Sequence, residues 1–412
     1  MARPAPTDSR AVVETVRRTI RDNYVVSERI EAVDAILAAG LASGRYDGGD
    51  PRQLADRINA DLMSASKDKH LSIRFDPAHA SMLKGPIGDE IVEGPQWERM
   101  AQLRNHGFTE MRVLDGNVRY VRLDGFAWTG AKSAAAIDVV LGFLKEGDAA
   151  VIDLRYNGGG SPRAIQYIIS HFVATGTPLT TFHMGGGRAP EKYAALATLP
   201  ASRMIGKPLY ILTSRMSISA AEEFAGHVTG HRIGKVVGEQ TAGAAYRNSF
   251  FPILGEFMLS VSVGRAVLAS TGTDWEGKGI EPTIAAEAGK ALDVAHLDAL
   301  RTLAPNAPPP EKDRMEAVAA MLAARLEPAA LELSLGSYAG TFGDRTISVE
   351  GGSLYSQRGD GPRVKLLSVE RNLFLIEADP ETRLQFAVKN GAAESLDVIR
   401  RDGRRTTQLR TH

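Results

Sequence analysis

Three polar segments of the chain carry the side chains that acyl-transfer chemistry uses. Ser219 follows an apolar run and precedes a run of helix formers, His70 stands before an alternating strand pattern, and Glu276 lies in the loop D-W-E-G. A serine hydroxyl becomes nucleophilic when a neighbouring base takes its proton, histidine is the usual base, and an acid normally orients it. Taken singly, each residue has an ordinary alternative: a helix cap for Ser219, a surface histidine and a surface acid.

The surroundings of Ser219 predict a strand, a turn and a helix in succession. Leu209–Leu212 is an apolar run, residues 213–217 are polar, and residues 218–227 are rich in alanine and glutamate, which favour helix. The N-terminus of a helix presents backbone N–H groups without intrahelical partners, and such groups can hold a developing oxyanion. Ser217 offers the same capping alternative as Ser219.

A glycine-rich turn is the second place where an oxyanion could be held. The sequence D-L-R-Y-N-G-G-G, residues 153–160, follows an apolar strand pattern and precedes a helix that opens at Ser161-Pro162. Its spacing matches neither G-x-G-x-x-G nor a P-loop, because no G-K-[ST] follows. A tight turn without a chemical role is the alternative.

Composition excludes several classes of protein. The 49 basic and 49 acidic residues balance, which gives no support for a nucleic-acid or anionic-membrane partner. The absence of cysteine excludes disulfides, thiol nucleophiles and cysteine-ligated metals. No apolar run approaches the roughly 18 residues of a membrane span, and the first ten residues lack the apolar region of a signal peptide. We therefore expect a cytoplasmic protein, or a periplasmic or secreted one if a signal has been removed.

The 412 residues are patterned as four successive parts. Residues 1–76 predict a helical domain of three helices that ends by contributing the histidine. Residues 77–305 alternate strands and helices, which predicts an α/β catalytic core with sites near the C-terminal ends of strands. The proline-rich run at its end opens a linker and helix, 306–330, and residues 331–412 predict a small β-rich accessory domain.

Together, the chemical segments resemble the C-terminal processing (tail-specific) serine protease family, which includes the tricorn protease core and the interphotoreceptor retinoid-binding protein modules. The resemblance spans about 65 to 300 and implies a crotonase-like α/β core with Ser219 as nucleophile. It also implies oxyanion donation by the N–H groups of Ala220 and of a glycine in the Gly158–Gly160 turn, with Gly159 as our choice. The matching segments, in family order, are D-L-R-Y-N-G-G-G at 153–160, T-S-R-M-S-I-S-A-A-E-E-F-A at 213–225, V-G-E-Q-T-A-G at 237–243 and G-K-G-I-E-P at 277–282.

Departures from the family pattern decide which base the resemblance implies. The processing branch uses a lysine in a G-K-G sequence, but the corresponding stretch here is T-A-G-A-A, with Ala244 at the place of the lysine. The tricorn-like branch instead uses a histidine before the core and a glutamate before G-[VI]-x-P, which His70 and Glu276 match. The resemblance thus implies His70 as general base and acid and Glu276 as its orienting partner. Ser66 or Asp68, each near His70 in the sequence, is a candidate to assist. The stretch between His70 and the next hairpin is too short for a PDZ domain.

The sequence therefore predicts a serine peptidase that acts on peptides or unfolded protein tails through an acyl-enzyme on Ser219, without metal or cofactor. A non-catalytic binding module for an apolar ligand is one alternative, since the resemblance includes retinoid-binding modules. An esterase or amidase that uses the same triad is another. No nucleic-acid partner and no membrane span are expected, and the oligomeric state stays open.

Overall fold

The structure is a computed structural model that describes residues 8–48, 50–81, 83, 85–86 and 95–411, without the side chain of Gln96. The chain divides into two compact units. Unit 1 holds the residues up to Arg112, Tyr120–Glu146 and Ala150–Ala288, and unit 2 holds Val113–Arg119, Gly147–Ala149 and the residues from Gly289 onward. The four-part division stays a prediction, and residues 87–94, within the stretch judged too short for a PDZ domain, lie outside the described residues.

Between residues 108 and 303 the helices and strands follow one another nearly in the order that the sequence pattern predicts. The described helices are α1 Ser9–Asn23, α2 Ser27–Ala42, α3 Pro51–Ser66, α4 Pro77–Ala80, α5 Pro95–Leu103, α6 Ala131–Lys145, α7 Pro162–Ile169, α8 Ala220–Gly230, α9 Ala291–Leu303, α10 Pro309–Leu326 and α11 Leu335–Tyr338. The described strands are β1 Ser72–Phe75, β2 Phe108–Leu114, β3 Val118–Leu123, β4 Ala149–Asp153, β5 Pro178–Met184, β6 Glu191–Ala194, β7 Leu209–Thr213, β8 Lys235–Gly238, β9 Tyr246–Ile253, β10 Phe257–Leu268, β11 Ile284–Ala285, β12 Gly340–Phe342, β13 Arg345–Glu350, β14 Ser353–Arg358, β15 Arg363–Glu370, β16 Leu373–Ile376, β17 Asp379–Lys389, β18 Ala392–Ile399 and β19 Arg405–Leu409.

Local sequence explains where the N-terminal helices begin and end. Asp8 accepts a hydrogen bond from the N–H of Ala11 at 3.0 Å, and Asp50 accepts one from Arg52 at 2.7 Å, so each aspartate caps a helix. Helix α3 ends at Lys67, whose φ of 55° is left-handed. A left-handed residue turns the chain out of the helix, and the chain then runs through His70 into β1.

The larger sheet of unit 1 places the two candidate oxyanion segments side by side. Its strands run in the order β11-β8-β7-β4-β3-β2, and β4, β7 and β8 are parallel. Every residue of β4 and β7 is buried, as continuous apolar runs predict. Parallel strands end at the same sheet edge, so the glycine turn after β4 and the serine turn after β7 emerge together.

A second, antiparallel sheet joins the histidine segment to the core of unit 1. Its path is β1-β10-β5-β6, and β9 also pairs with β10. Strand β1 pairs with the start of β10, where Ser72 faces Ser260 and Phe75 faces Phe257. The buried side chains of α1 and α3 form one core cluster with those of β1, β9 and β10. The N-terminal helices therefore belong to the same packed body as the strand that leads to Glu276.

Unit 2 contains the C-terminal β structure that the sequence predicts. Its strands follow chain order from β12 to β19, and each pairs antiparallel with the next. Phe342 also bridges to Arg410, so the first strand meets the end of the last. The core of this β structure holds four aromatic side chains that pack edge to face, namely Tyr338, Phe342, Phe374 and Phe386. Across the described residues, no helix has both the length and the apolar character needed to cross a membrane.

The helix that follows Ser219 is held by aromatic packing, which gives a stability prediction. Phe224 is fully buried on α8, and its ring lies 5.8 Å from the ring of Phe126. We expect Phe224→Ala to lower the free energy of unfolding by about 3–5 kcal/mol, since it removes buried surface and leaves a cavity. Chemical denaturation checks this. Val139→Ala, at a side chain that is 70% exposed, serves as the control, with an expected change within roughly 0.5 kcal/mol. Equal losses in the two variants would contradict the prediction.

Candidate active site

Ser219 occupies a strained position between β7 and α8. Its φ of 60° and ψ of −118° lie outside the regions that L-residues ordinarily adopt. Its N–H donates to Oε2 of Glu222 at 2.9 Å, and its carbonyl accepts from the N–H groups of Glu222 and Glu223. Strained serines at sharp strand-to-helix turns expose their hydroxyl for reaction. Such strain persists only where the surroundings enforce it, and Glu222 supplies part of that enforcement.

The neighbouring serines are used by the turn itself. The hydroxyl of Ser217 donates to the carbonyl of Leu154 at 2.7 Å, and that of Ser214 donates to the carbonyl of Arg155. The hydroxyl of Ser219, in contrast, donates no hydrogen bond to any part of the chain that the structure describes. Of the three serines, Ser219 is therefore the one whose hydroxyl proton remains available.

The glycine turn lies directly against Ser219. Gly159 has a φ of +95°, and a Cβ placed there would lie 2.9 Å from Cβ and 3.3 Å from Oγ of Ser219. The side chain of Asn157 fixes the turn, because Nδ2 donates to the carbonyl of Leu123 and Oδ1 accepts from the N–H of Gly159, both at 2.8 Å. The contact admits only a glycine at position 159.

The three N–H groups of the turn differ in their availability as oxyanion donors. Gly158 donates to the carbonyl of Asp124 at 3.2 Å, and Gly159 donates to Asn157. The N–H of Gly160 and that of Ala220 donate to no atom of the described residues. Gly159 thus adjoins Ser219, whereas the N–H of Gly160 donates to no described residue.

His70 lies in a tightly bonded turn between α3 and β1. Its N–H donates to Oδ1 of Asp68 at 2.8 Å, and the N–H of Asp68 donates to Oγ of Ser66 at 3.1 Å. Nδ1 of His70 is buried and has no hydrogen-bond partner in the described residues. Burial lowers the pKa of His70, Asp68 opposes that effect, and Lys69 adds to it. A lowered pKa keeps the imidazole neutral near neutral pH, which is the form that accepts a proton.

One short loop, residues 241–245, contacts the segments of all three candidate residues. Nζ of Lys69, the neighbour of His70, donates to the carbonyl of Ala242. The N–H of Ala244 donates to Glu222, which holds Ser219, at 2.9 Å, and the N–H of Ala245 donates to Oε2 of Glu276 at 2.7 Å. This loop is the T-A-G-A-A stretch of the sequence. The loop gathers the segments of Ser219, His70 and Glu276, although no hydrogen bond joins these three side chains in the described residues.

The carboxyl of Glu276 is difficult to ionise in this setting. Burial raises its pKa to about 7, and the negative charges of Asp68, Asp274 and Glu222 act in the same direction. The N–H of Ala245 is the contact that favours the charged form. Glu276 therefore keeps its proton to a higher pH than an exposed glutamate does.

An apolar cleft opens beside the glycine turn. Its volume is about 910 Å³, and one wall is formed by Gly159, Gly160 and Ser161. The other walls carry large apolar side chains, namely Trp97, Met100, Leu103, Phe108, Phe126, Trp128 and Phe250. Clefts of this size and character bind apolar groups of peptides or small molecules.

The sequence reasoning did not single out Glu222 or Asn157, which build the site. Glu222 accepts hydrogen bonds at 2.6 Å from the hydroxyl of Thr241 and from the N–H of Gly243, besides those from Ser219 and Ala244. The spacing S-x-x-E from Ser219 to Glu222 is a capping-box pattern and was the available signal. Among the described residues, no three His, Asp or Glu side chains come together as a metal site requires.

Comparisons with known proteins agree with the motif pattern. A model described as Peptidase family S41 matches residues 117–286, and one described as the N-terminal domain of Peptidase_S41 in eukaryotic IRBP matches residues 7–100. The carboxy-terminal processing protease CtpB of Bacillus subtilis is 27% identical over 177 residues, which are 43% of this chain and 35% of that protein. The match thus spans about a third of the length of that relative.

Several solved structures align with the chain at low identity and with TM-scores below 0.5. A lipoprotein from Streptococcus agalactiae aligns with a TM-score of 0.47 and 14% identity over 69% of this chain and 94% of that one. The photosystem II D1 C-terminal processing protease aligns with a TM-score of 0.44 and 16% identity over 69% and 94%. The tricorn protease aligns with a TM-score of 0.41 and 12% identity over 70% and 36%.

The raised pKa of Glu276 predicts a pH dependence of stability. In the folded protein the carboxyl keeps its proton up to about pH 7, whereas in the unfolded chain it loses the proton near its ordinary pKa of 4.5. Between these values the unfolded chain binds fewer protons, so this group makes stability fall as pH rises. The glutamine of Glu276→Gln cannot ionise. We therefore expect the melting temperature of this variant, relative to that of the wild type, to increase as the pH rises from about 5 to about 8.

The control for this prediction is Glu281→Gln, which changes an exposed carboxylate in the same loop region. Its melting temperature relative to wild type should not vary over that pH range. A constant difference between Glu276→Gln and wild type would show that the carboxyl ionises normally.

Proposed function

Because the chain belongs to peptidase family S41, we propose that it is a serine peptidase that hydrolyses peptides or protein tails through an acyl-enzyme on Ser219. The observation that carries the proposal is the strained Ser219 at the start of α8. Its hydroxyl donates no hydrogen bond to the described residues, and Gly159 lies so close that a Cβ there would be 2.9 Å from Cβ of Ser219. We assign His70 as general base and acid and Glu276 as its orienting partner. The α/β part of unit 1 is, in this proposal, a crotonase-like core.

The reaction begins when Oγ of Ser219 attacks a carbonyl carbon of the substrate and its proton passes to His70. A base must come within roughly 3 Å of the proton it takes, and such contacts often tighten only when substrate is bound. The neutral imidazole favoured by burial is the form that can accept this proton. His70 then returns the proton to the leaving amine, and water hydrolyses the acyl-enzyme by the same steps in reverse.

The developing oxyanion would be held by backbone N–H groups. One comes from Ala220, the first residue of α8, whose N–H donates to no atom of the described residues. The second comes from the glycine turn: Gly159 donates if it releases Asn157, and Gly160 donates without any such exchange. Preorganised donors of this kind contribute about 10²–10³-fold each to the rate.

The apolar cleft supports a peptide substrate with bulky apolar side chains. Its aromatic walls adjoin the glycine turn, so a substrate residue placed there lies close to the reacting carbonyl. The same cleft is what favours the second candidate function, a non-catalytic module that binds an apolar ligand. Reactivity of Ser219 separates the two functions, since a binding module needs no activated serine.

A fluorophosphonate probe tests the proposed nucleophile, because it reacts covalently with activated serines. We expect one labelled site on the wild type, no label on Ser219→Ala, and labelling slowed by about 10²–10⁴-fold in His70→Gln. Mass spectrometry of the labelled peptide identifies the site. Ser217→Ala, in which a turn hydroxyl is lost, should keep the label.

Absence of label on the folded wild-type protein would favour the binding module. Label on Ser219→Ala would place the nucleophile elsewhere. A panel of peptides and small esters, assayed on the wild type, then separates a peptidase from an esterase or amidase that uses the same residues.

The lack of space for a side chain at Gly159 gives a further prediction. A methyl group at this position would contact Cβ of Ser219 at 2.9 Å and would also require a left-handed φ of +95°. We expect Gly159→Ala to lower kcat/KM by about 10²–10³-fold, as when an oxyanion donor is lost. Gly158→Ala is the matched control, because a Cβ there meets nothing within 4 Å. Similar activities of the two variants in the peptidase assay would contradict the proposed place of the nucleophile.

A further inference from the structure

A buried carboxylate lies in the same turn as His70. Asp68 is 0% exposed, and its Oδ1 accepts from the N–H of His70 at 2.8 Å. Its Oδ2 is also buried, yet it has no hydrogen-bond partner in the described residues. A buried polar atom left without a partner costs free energy. This oxygen belongs to the residue two positions before the proposed base.

The imidazole of His70 also has a buried nitrogen without a hydrogen-bond partner. Its Nδ1 is buried and unpartnered, as is the hydroxyl of Tyr24, and the charge of Asp68 acts on both groups. An acceptor oxygen, an imidazole nitrogen and a phenol thus lie near one another. Burial raises the pKa of Tyr24, and its phenol is close enough to Asp68 for the charge of that carboxylate and hydrogen bonding with it to raise this pKa further. When the imidazole takes a proton it acquires a positive charge and an additional N–H donor. The charged imidazole therefore needs a negatively charged acceptor for the additional N–H, and the unpartnered oxygen of Asp68 can be that acceptor.

The other charged groups around this turn do not supply that contact. Lys69 disfavours an imidazolium, and Arg29 bonds to the carbonyl of Ser66 at 2.5 Å. Glu276 accepts from Ala245, and neither it nor Tyr246 influences the charge of His70 as strongly as Asp68 does. The negative charge of Asp68 in turn acts against ionisation of Glu276 and Tyr246.

We propose that Asp68 is a positioning residue of His70 in addition to Glu276: Oδ1 fixes the backbone of the turn, and Oδ2 stabilises the imidazolium that forms when Ser219 gives up its proton. The inference rests on the proposed function of Ser219 and His70 and refines it. Asp68 itself neither gains nor loses a proton. The bond that forms joins Oγ of Ser219 to the substrate carbon, and the proton passes through His70 to the leaving nitrogen as the amide bond breaks.

The ionisation of His70 tests this directly and needs no turnover. In the Ser219→Ala background, the ring resonances of His70 are followed by NMR over pH and assigned by their loss in His70→Gln. Because a nearby negative charge favours the imidazolium, Asp68→Asn should lower the pKa of His70. The asparagine keeps an oxygen for the N–H of His70, so the turn is retained. Glu276→Gln should change the pKa of His70 less than Asp68→Asn does.

Kinetics give the second readout. With an active wild type, Asp68→Asn should lower kcat on the order of 10²-fold with little change in KM. The acidic limb of its pH–rate profile should move to lower pH, since the base is protonated less readily. Asp61→Asn is the matched control: Asp61 is also buried on the N-terminal helices, bonded to Tyr46 at 2.7 Å and Arg45 at 2.8 Å. It should lose stability but keep the wild-type pH profile.

The outcomes separate this inference from the proposed function. An unchanged pKa of His70 in Asp68→Asn overturns the positioning role, whether or not the protein is a peptidase. A wild type without fluorophosphonate label or peptidase activity overturns the proposed function, while the NMR result still stands on its own. A pH profile that moves equally in Asp61→Asn would mean that the shift reflects lost stability, and this also overturns the role of Asp68.

Discussion

One buried carboxylate, that of Glu222, holds the proposed site together. It accepts hydrogen bonds from the N–H of Ser219 on one side and from Thr241, Gly243 and Ala244 on the other. Burial raises the pKa of Glu222, and these donors partly offset that effect. A buried carboxylate that lost its donors would be costly. The strained serine and the loop 241–245 are therefore bound to each other, and that loop in turn contacts Lys69 and Glu276.

The same loop shows what the sequence could and could not reveal. Strand, turn and helix around Ser219 follow local patterns, and the structure has β7 and α8 where those patterns predict them. The glycine turn after β4 is equally local, and Gly159 lies against Ser219. The partners of Glu222 and Asn157 depend on which loops meet in space, and no spacing along the chain encodes that. The assignment of Ser219, His70 and Glu276 as a triad remains a prediction.

Electrostatics was the least predictable part, because it depends on burial. Asp68 and Glu276 are ordinary acids in the sequence, yet one is fully buried and the other has its pKa raised to about 7. Burial also lowers the pKa of His70. Burial disfavours the charged forms of Glu276 and His70, and the histidine turn follows a helix that packs in one buried cluster with β9 and β10. The sequence indicated that the N-terminal region contributes a base, but it could not indicate how far burial would lower the pKa of that base.

The pairing of β1 with β10 has a consequence for how the protein is made. Ser72 faces Ser260, so the strand that follows His70 has no partner until the ribosome has added nearly two hundred further residues. Contacts of such sequence separation form late, because closing a long loop costs entropy before the pairing can repay it. In an emerging chain, the helical segment and the serine turn are therefore present before β1 has paired, and His70, the proposed base, is not yet held in its final position. The late strand delays assembly of the complete site until the core itself has closed.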